Sequence, residues 1–236
     1  MELITISIAE NVARVLERVN VAESEYGMRE GEVSVVGISK TFDAQAVMEA
    51  VNAGITDIGE NRIQEAERKF PHTIGGFKKH MVGHLQSNKV NKALELFDFI
   101  HSVDSLKLAK KIAFSGGNDK DLLLEVNTSG EETKFGVKPE ATLDLLSEIT
   151  ETSGLTISGL MTVGPRSTEE SKIRSAFRKL KSLYDSASGS NIEGIDMKYL
   201  SMGMTNDFEI AIEEGSNMVR IGHAIFGERP SVRVNW

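Results

Sequence analysis

Val33-Ser34-Val35-Val36-Gly37-Ile38-Ser39-Lys40-Thr41 reads as a β-strand that breaks into a loop at a lysine, and residues 43–53 after it carry a helical pattern ending at Gly54. The strand is apolar without strict alternation, which suits a strand buried on both faces, as parallel strands are. The unit recurs. Asp121-Leu122-Leu123-Leu124-Glu125-Val126, Ile157-Ser158-Gly159-Leu160-Met161 and Met218-Val219-Arg220-Ile221 are further clear strands. Thr56-Asp57-Ile58, His80-Met81-Val82-Gly83-His84, Phe99-Ile100-His101-Ser102 and Lys198-Tyr199-Leu200 are weaker ones. Helical patterns cover residues 61–70, 104–114, 139–152, 168–186 and 206–214, with a leading helix over residues 8–22. Pro71 stops the first of these, and Pro139 sits in a first turn, where its missing N–H costs nothing. Roughly eight strands result, each but the last followed by a helix. Such alternation implies a parallel sheet with right-handed crossovers, and eight repeats favour a closed barrel over an open sheet. The expectation is an α/β chain forming a single (β/α)8 TIM barrel with an extra N-terminal helix. No Pro-, Ser- or Gly-rich linker divides it, so one domain spanning residues 1–236 is expected.

The composition narrows the function classes. Lys plus Arg number 27 and Asp plus Glu 35, a formal charge of −8, which argues against a general nucleic-acid binder. An anionic ligand must then find a local pocket of donors. The absence of Cys excludes disulfides, Cys-based zinc sites and thiol nucleophiles. No stretch reaches the roughly 18 apolar residues of a membrane span, and Met1-Glu2-Leu3-Ile4-Thr5 lacks the basic start of a signal peptide. A cytoplasmic protein is therefore expected. The basic face of residues 168–186 (Lys172, Arg174, Arg178, Lys179, Lys181) reads as a solvated helix surface.

Barrels of this kind build their sites at the C-terminal ends of the strands. Lys40 ends the first strand. Crowding and partial loss of water there would lower a lysine pKa and raise the neutral amine that carbonyl chemistry needs, although position alone leaves a solvated loop lysine equally open. Across the mouth, Ser201-Met202-Gly203-Met204-Thr205 and Arg220-Ile221-Gly222-His223-Ala224 follow strands seven and eight, the usual phosphate site of the fold. A hydroxyl and glycine-exposed N–H groups bind an anion without net positive charge. A lysine on one rim and a phosphate cradle on the other suggest an aldehyde-bearing phosphate ester, for which pyridoxal 5′-phosphate (PLP) is the obvious candidate.

The ordered motifs also resemble those of one family, the pyridoxal phosphate homeostasis proteins, whose fold is similar to the barrel domain of alanine racemase. Ser39-Lys40-Thr41, Gly59-Glu60-Asn61-Arg62-Ile63-Gln64-Glu65, Gly83-His84-Leu85-Gln86-Ser87-Asn88-Lys89, Gly159-Leu160-Met161-Thr162, Ser201-Met202-Gly203-Met204-Thr205-Asn206-Asp207 and Arg220-Ile221-Gly222-His223-Ala224-Ile225-Phe226-Gly227 carry the resemblance. It implies that Lys40 holds PLP covalently as an aldimine, that Ser201 and Gly222 bind the phosphate with Met202, Gly203 and the backbone at His223 nearby, and that Arg220 sits by the pyridine nitrogen. Asn61 would lie beside the ring, with His84 and Met161 lining the pocket. Position 223 usually holds a small hydroxyl residue in the family, so His223 is a departure that removes one side-chain hydrogen bond.

An arginine at the pyridine nitrogen disfavours a protonated ring and weakens its use as an electron sink. Racemases of this fold offset that with a lysine and an opposing tyrosine. None of Tyr26, Tyr184 and Tyr199 is an obvious opposing base, and with the sequence ending at Trp236 the racemases' second β-domain is expected to be absent. Storage or delivery of PLP to apo PLP-dependent enzymes, by a monomer or a dimer, is favoured over the alternative of a weak amino-acid racemase. No metal site is expected: His80 and His84 fall on a strand and no HExxH motif exists. Gly37-Ile38-Ser39-Lys40-Thr41 is not a nucleotide P-loop, because Ser39 stands where the glycine before the lysine is required. His72 and His101 are expected at the surface or at strand ends, and Met204 in the core.

Overall fold

The computed structural model describes residues 7–228, so the start at Met1 and the end at Trp236 lie outside the described residues. Eight parallel strands close in chain order into a barrel, with β1 paired to both β2 and β8. They are β1 (Ser34–Ile38), β2 (Asp57–Glu60), β3 (Lys78–Met81), β4 (Phe99–Val103), β5 (Asp121–Glu125), β6 (Ile157–Met161), β7 (Ile195–Met204) and β8 (Met218–Ile221). Around them run α1 (Ile8–Glu25), α2 (Ala44–Asn52), α3 (Ile63–Lys69), α4 (Val90–Leu96), α5 (Leu106–Phe114), α6 (Thr142–Ser153), α7 (Glu170–Ser188), α8 (Phe208–Glu213) and α9 (His223–Phe226). The barrel expected from the sequence is thus the barrel observed. Two helices differ from the expectation. α4 was not located in the sequence, and β8 is followed by a helix after all, the single turn α9.

The brevity of α9 explains the extra helix at the start. A four-residue helix leaves the strands beside it thinly covered, and α1 packs against α2, α8 and α9 to cover them. Its Val12, Val15, Val19 and Ala22, spaced three and four apart, are buried along one stripe. Ser7 caps the helix in a reciprocal box with Glu10: the Ser7 hydroxyl accepts from the Glu10 N–H at 3.2 Å, and Glu10 accepts from the Ser7 N–H at 2.8 Å. At the other end the buried Glu23 carboxylate accepts from the N–H groups of Gly31 at 3.0 Å and Val33 at 2.6 Å, tying α1 to the entry of β1.

Two cores result. The outer one fills the shell between strands and helices with Val47, Ile58, Ile112, Leu146, Phe177, Leu180 and Met202, all but excluded from water. Each such side chain contributes roughly 1.5–3 kcal/mol by leaving water. The inner one, along the barrel axis, comprises only Val36, Ile38, Phe99, Leu123, Met161 and Met218 among the described buried apolar residues. The basic face of α7 is not simply solvated, as expected from the sequence. Arg174 reaches Glu213 at 2.6 Å and Glu214 at 2.9 Å, and Arg178 reaches Glu214 at 2.8 Å, so these guanidiniums pin α7 to the end of α8. Among the described residues, no helix is long and apolar enough to cross a membrane.

Candidate functional site

Side chains alternate in and out along a strand, and Val36 and Ile38 face the barrel axis. Lys40, half-buried, is the next residue in that phase, just past the end of β1. Its neighbours are tightly held. The Ser39 carbonyl accepts from Lys69 Nζ at 2.7 Å, and the Ser39 hydroxyl donates to Glu60 Oε1 at 2.5 Å. Lys69 also pairs with Glu60, both out of water. Burial pushes the Glu60 carboxyl up from its ordinary value, and Lys69 opposes that rise. On the other side of Lys40, the Thr41 N–H donates to Glu65 Oε2 at 2.7 Å, and Thr41 sits at φ 71°. A β-branched residue is rarely found in that left-handed region, and such strain persists only where the surroundings enforce it.

Ser201 and Arg220 also point inward and are buried, but they do not stand on the opposite rim expected from the sequence: β8 is paired to β1, with Arg220 in register with Val36, and Ser201 is on β7, the next strand round. Arg220 Nη1 donates to Ser201 Oγ at 2.6 Å and Nη2 to the Thr162 carbonyl at 2.7 Å. Burial lowers the guanidinium to about 10, against the opposing pull of Glu125 and Asp207, so it stays a cation at neutral pH. Gly203 turns the chain at φ 93°, and a Cβ there would lie 2.5 Å from that of Ala211, so only glycine fits. The Met204 N–H is closed off by Asp207 Oδ1 at 2.5 Å, which fixes the turn. Ala224 N–H reaches Thr205 Oγ1 at 3.5 Å and joins this turn to α9.

Gly222 differs. A Cβ on it would meet only the Ile38 carbonyl at 3.5 Å and the Ile38 Cβ at 3.6 Å, ordinary contacts that leave room for a side chain. The glycine therefore keeps open a space at the mouth, next to the end of β1. His223 beside it has an exposed side chain.

Two carboxylates stand elsewhere at the strand ends. Glu125 ends β5 in the inward phase shared with Leu123 and is buried. Burial first, and Asp104 second, raise its carboxyl to about 7, while Arg220 opposes them. His84 Nδ1 lies 3.4 Å from Asp104 Oδ2, and its ring stacks on Phe135 at 3.9 Å between centroids.

Under the mouth runs a chain of hydrogen bonds. Ser201 Oγ lies 3.3 Å from His101 Nδ1, His101 Nε2 lies 2.9 Å from His80 Nδ1, and His80 Nε2 lies 2.9 Å from Asp57 Oδ1. His101 is therefore neither the surface residue nor the strand end expected from the sequence, but lies in the middle of β4. It is fully buried on the barrel axis, where burial, then His80 and Arg220, hold its imidazole well below the ordinary range. Met204 is corrected the other way: 38% exposed at the rim, it is not core. Met202 is core, but of the outer layer, so only its backbone is available at the mouth. Met161 faces the axis, and Asn61 is half-buried one residue beyond β2. All three tyrosines stand away from the strand ends. Tyr26 caps α1, Tyr184 donates to the Met197 carbonyl at 2.5 Å, and Tyr199 packs on Phe99 inside the barrel.

This geometry can be set beside known proteins. Residues 13–230 match the family described as the N-terminal domain of alanine racemase. A pyridoxal phosphate homeostasis protein of Aquifex aeolicus is 39% identical over 93% of this chain and 97% of its own length. The chain belongs to the pyridoxal phosphate homeostasis protein family. A crystal structure of an unknown protein from Bifidobacterium adolescentis is similar at 39% identity and a TM-score of 0.85, over 92% of this chain and 94% of that one. PipY of Synechococcus elongatus, solved with PLP bound, is similar at 30% identity and a TM-score of 0.79, over 94% of this chain and all (100%) of that one.

Reading the sequence as a homeostasis protein missed Glu125, Asp104 and the Asp57–His80–His101 chain. A signal was present for two of them. Leu122-Leu123-Leu124-Glu125 places a carboxylate in an otherwise apolar strand, and Asp57 interrupts another. Buried charges are rare without a partner or a task.

Proposed function

We propose that this chain binds PLP at the C-terminal mouth of its barrel and takes part in PLP homeostasis as a carrier. One observation carries the reading: a lysine in the inward phase at the end of β1 stands beside β8, which carries a buried arginine and ends at a glycine that keeps space open at the mouth. The residues fit the group. Lys40 would supply the amine that holds the cofactor covalently. The backbone N–H groups at Gly222 and His223, together with the Gly203 turn beside Met202 and the hydroxyl of Ser201, would hold the phosphate. Arg220 would stand by the pyridine nitrogen, with Asn61, His84 and Met161 around the ring. Bound there, PLP supplies an aldehyde that reacts with amines.

The chain's own residues favour holding over turnover. Arg220 keeps a permanent positive charge where a catalyst would want a protonated ring nitrogen. No tyrosine among the described residues stands at the mouth to serve as an opposing base. The names of the relatives that match more than nine-tenths of the chain support the homeostasis role. Transfer to apo-enzymes, by a monomer or a dimer, belongs to the same reading.

The test is a visible spectrum of purified protein loaded with PLP, taken before and after borohydride, with mapping of the modified peptide. The expected result is a trapped adduct on Lys40 that disappears in Lys40→Ala at that position. An unmodified Lys40 in loaded, reduced protein overturns the reading.

A further inference from the structure

With Asp57 ionised and both imidazoles neutral, the polar chain beneath the mouth admits one pattern of protons. An ionised Asp57 can only accept, so His80 Nε2 carries a proton and donates to Oδ1. A neutral His80 then accepts at Nδ1 from His101 Nε2–H, and a neutral His101 accepts at Nδ1 from the Ser201 hydroxyl. Arg220 has only donors, so Ser201 Oγ receives its Nη1–H. Every bond runs the same way, from Arg220 through Ser201 and two imidazoles to Asp57. Thr56 Oγ1 donates to the second Asp57 oxygen at 2.6 Å and completes that end.

This direction has a consequence at the mouth. The Ser201 proton is committed downward, so the hydroxyl presents no donor to an anion above it. For Ser201 to donate upward, His101 must instead donate from Nδ1 to Ser201 Oγ and accept at Nε2 from His80 Nδ1–H. His80 keeps its Nε2–H on Asp57 and now carries two protons. One proton from solvent has entered, and it rests on an imidazolium beside a carboxylate. His101 stays neutral in both arrangements, as its deep burial requires.

We infer that Asp57, His80 and His101 are positioning residues that couple anion binding at Ser201 to the uptake of one proton by the His80–Asp57 pair. The inference rests on the phosphate placement proposed above. The groups facing His80 are consistent with it. Asp57 on β2 supplies the counter-charge, His101 on β4 is held neutral by burial, and Phe99 of β4 stacks on the ring at 4.2 Å without charge. Lys78 of β3, the register partner of Asp57, favours its charged form, and the Asp57 charge bears in turn on Tyr199 of β7. Arg220 on β8 bears on His101 rather than on Asp57.

Sulfate is the probe, because its charge is constant near neutral pH. Its dissociation constant is measured across about pH 6 to 9 with the full chain, wild type and Asp57→Asn, by competition with PLP. In wild type, on the alkaline side of the chain's own titration, one proton taken up adds a tenfold rise in the constant per pH unit. Asparagine still accepts from His80 but gives no counter-charge, so this tenfold factor is expected to vanish in Asp57→Asn. Glu125 and His223 remain at the mouth in both proteins, so the difference between them isolates the chain. Ser201→Ala, cut at the other end, is expected to lose the same factor. Nitrogen-15 spectra of the histidines give a second readout: saturating sulfate should turn His80, and not His101, into an imidazolium. Equal pH dependence in wild type and both variants, or a neutral His80 at saturation, overturns the inference. Either result leaves the Lys40 adduct standing, whereas failure of that adduct with normal proton uptake removes the carrier reading alone.

Discussion

The shell outside the strands and the axis inside them are both buried, yet they are built by opposite rules. Outside, Val47, Ile112, Phe177 and Leu180 belong to one continuous apolar cluster, and stability there comes from area and volume. Inside, a small apolar cluster shares the axis with Asp57, His80, His101, Ser201, Glu125 and Arg220, whose burial must be offset by hydrogen bonds. The outer layer keeps the barrel closed; the inner layer gives up stability to hold charges where water is scarce. A carboxyl raised to about 7 and an arginine lowered to about 10 are the visible cost.

If that contrast is right, truncating an outer side chain should hurt folding and leave the mouth alone. Phe177 is fully buried in the outer layer beneath α7. Phe177→Ala is expected to lower stability by about 3–5 kcal/mol, from lost transfer free energy and the cavity left behind. Urea unfolding measures the loss, and the affinity of the folded variant for PLP should stay within a factor of two or so. A large loss of affinity with small destabilisation would erase the distinction between the layers.

Glu125 should behave in the opposite sense. Its folded pKa, raised to about 7, lies above the ordinary value of 4.5, so the folded protein binds the proton more tightly than the unfolded chain. The charged form then opposes folding above pH 7, and stability is regained as pH falls from 7 towards 4.5. Glu125→Gln is expected to stabilise the protein by roughly 2–3 kcal/mol at about pH 8, an order-of-magnitude conversion of that shift, and by little near pH 4.5. Denaturation midpoints of both proteins at the two pH values check it. Equal gains at both would mean that ionisation is not the source.

The two layers also differed in how far the sequence disclosed them. The outer layer, and with it the barrel, follows from runs such as Leu122-Leu123-Leu124 alternating with amphipathic helices. α9 escaped because four residues are too few to establish a helical period. β7 begins at Ile195, earlier than Lys198-Tyr199-Leu200 suggested, because its first residues alternate between exposed and half-buried positions. At the mouth, Lys40, Ser201, Arg220 and Gly222 were legible from strand ends alone. The Asp57–His80–His101 chain was not. Its members come from three strands, and only the register of β2, β3 and β4 stacks them on one axis. His101 in particular reads as a polar strand end until that register is known.

The smallest expected effect lies where the two layers meet, at Thr41. Its φ of 71° is held by Glu65 Oε2 on its own N–H and by the fixing of Ser39 to Lys69 and Glu60 on the far side of Lys40. The Thr41 hydroxyl is buried without a hydrogen-bond partner, so the side chain adds a second cost to the backbone one. Strain of this kind costs of order 1–3 kcal/mol. Glycine removes both costs but adds about 0.5–1 kcal/mol of backbone entropy in the unfolded chain. Thr41→Gly should therefore stabilise the fold by about 1 kcal/mol, read from the denaturation midpoint. The same change loosens the backbone next to Lys40, so covalent PLP should exchange with added amines several-fold faster. A variant that is more stable and exchanges no faster would mean that the strained turn does not hold the lysine in place, and that the Glu60–Lys69 cluster alone suffices.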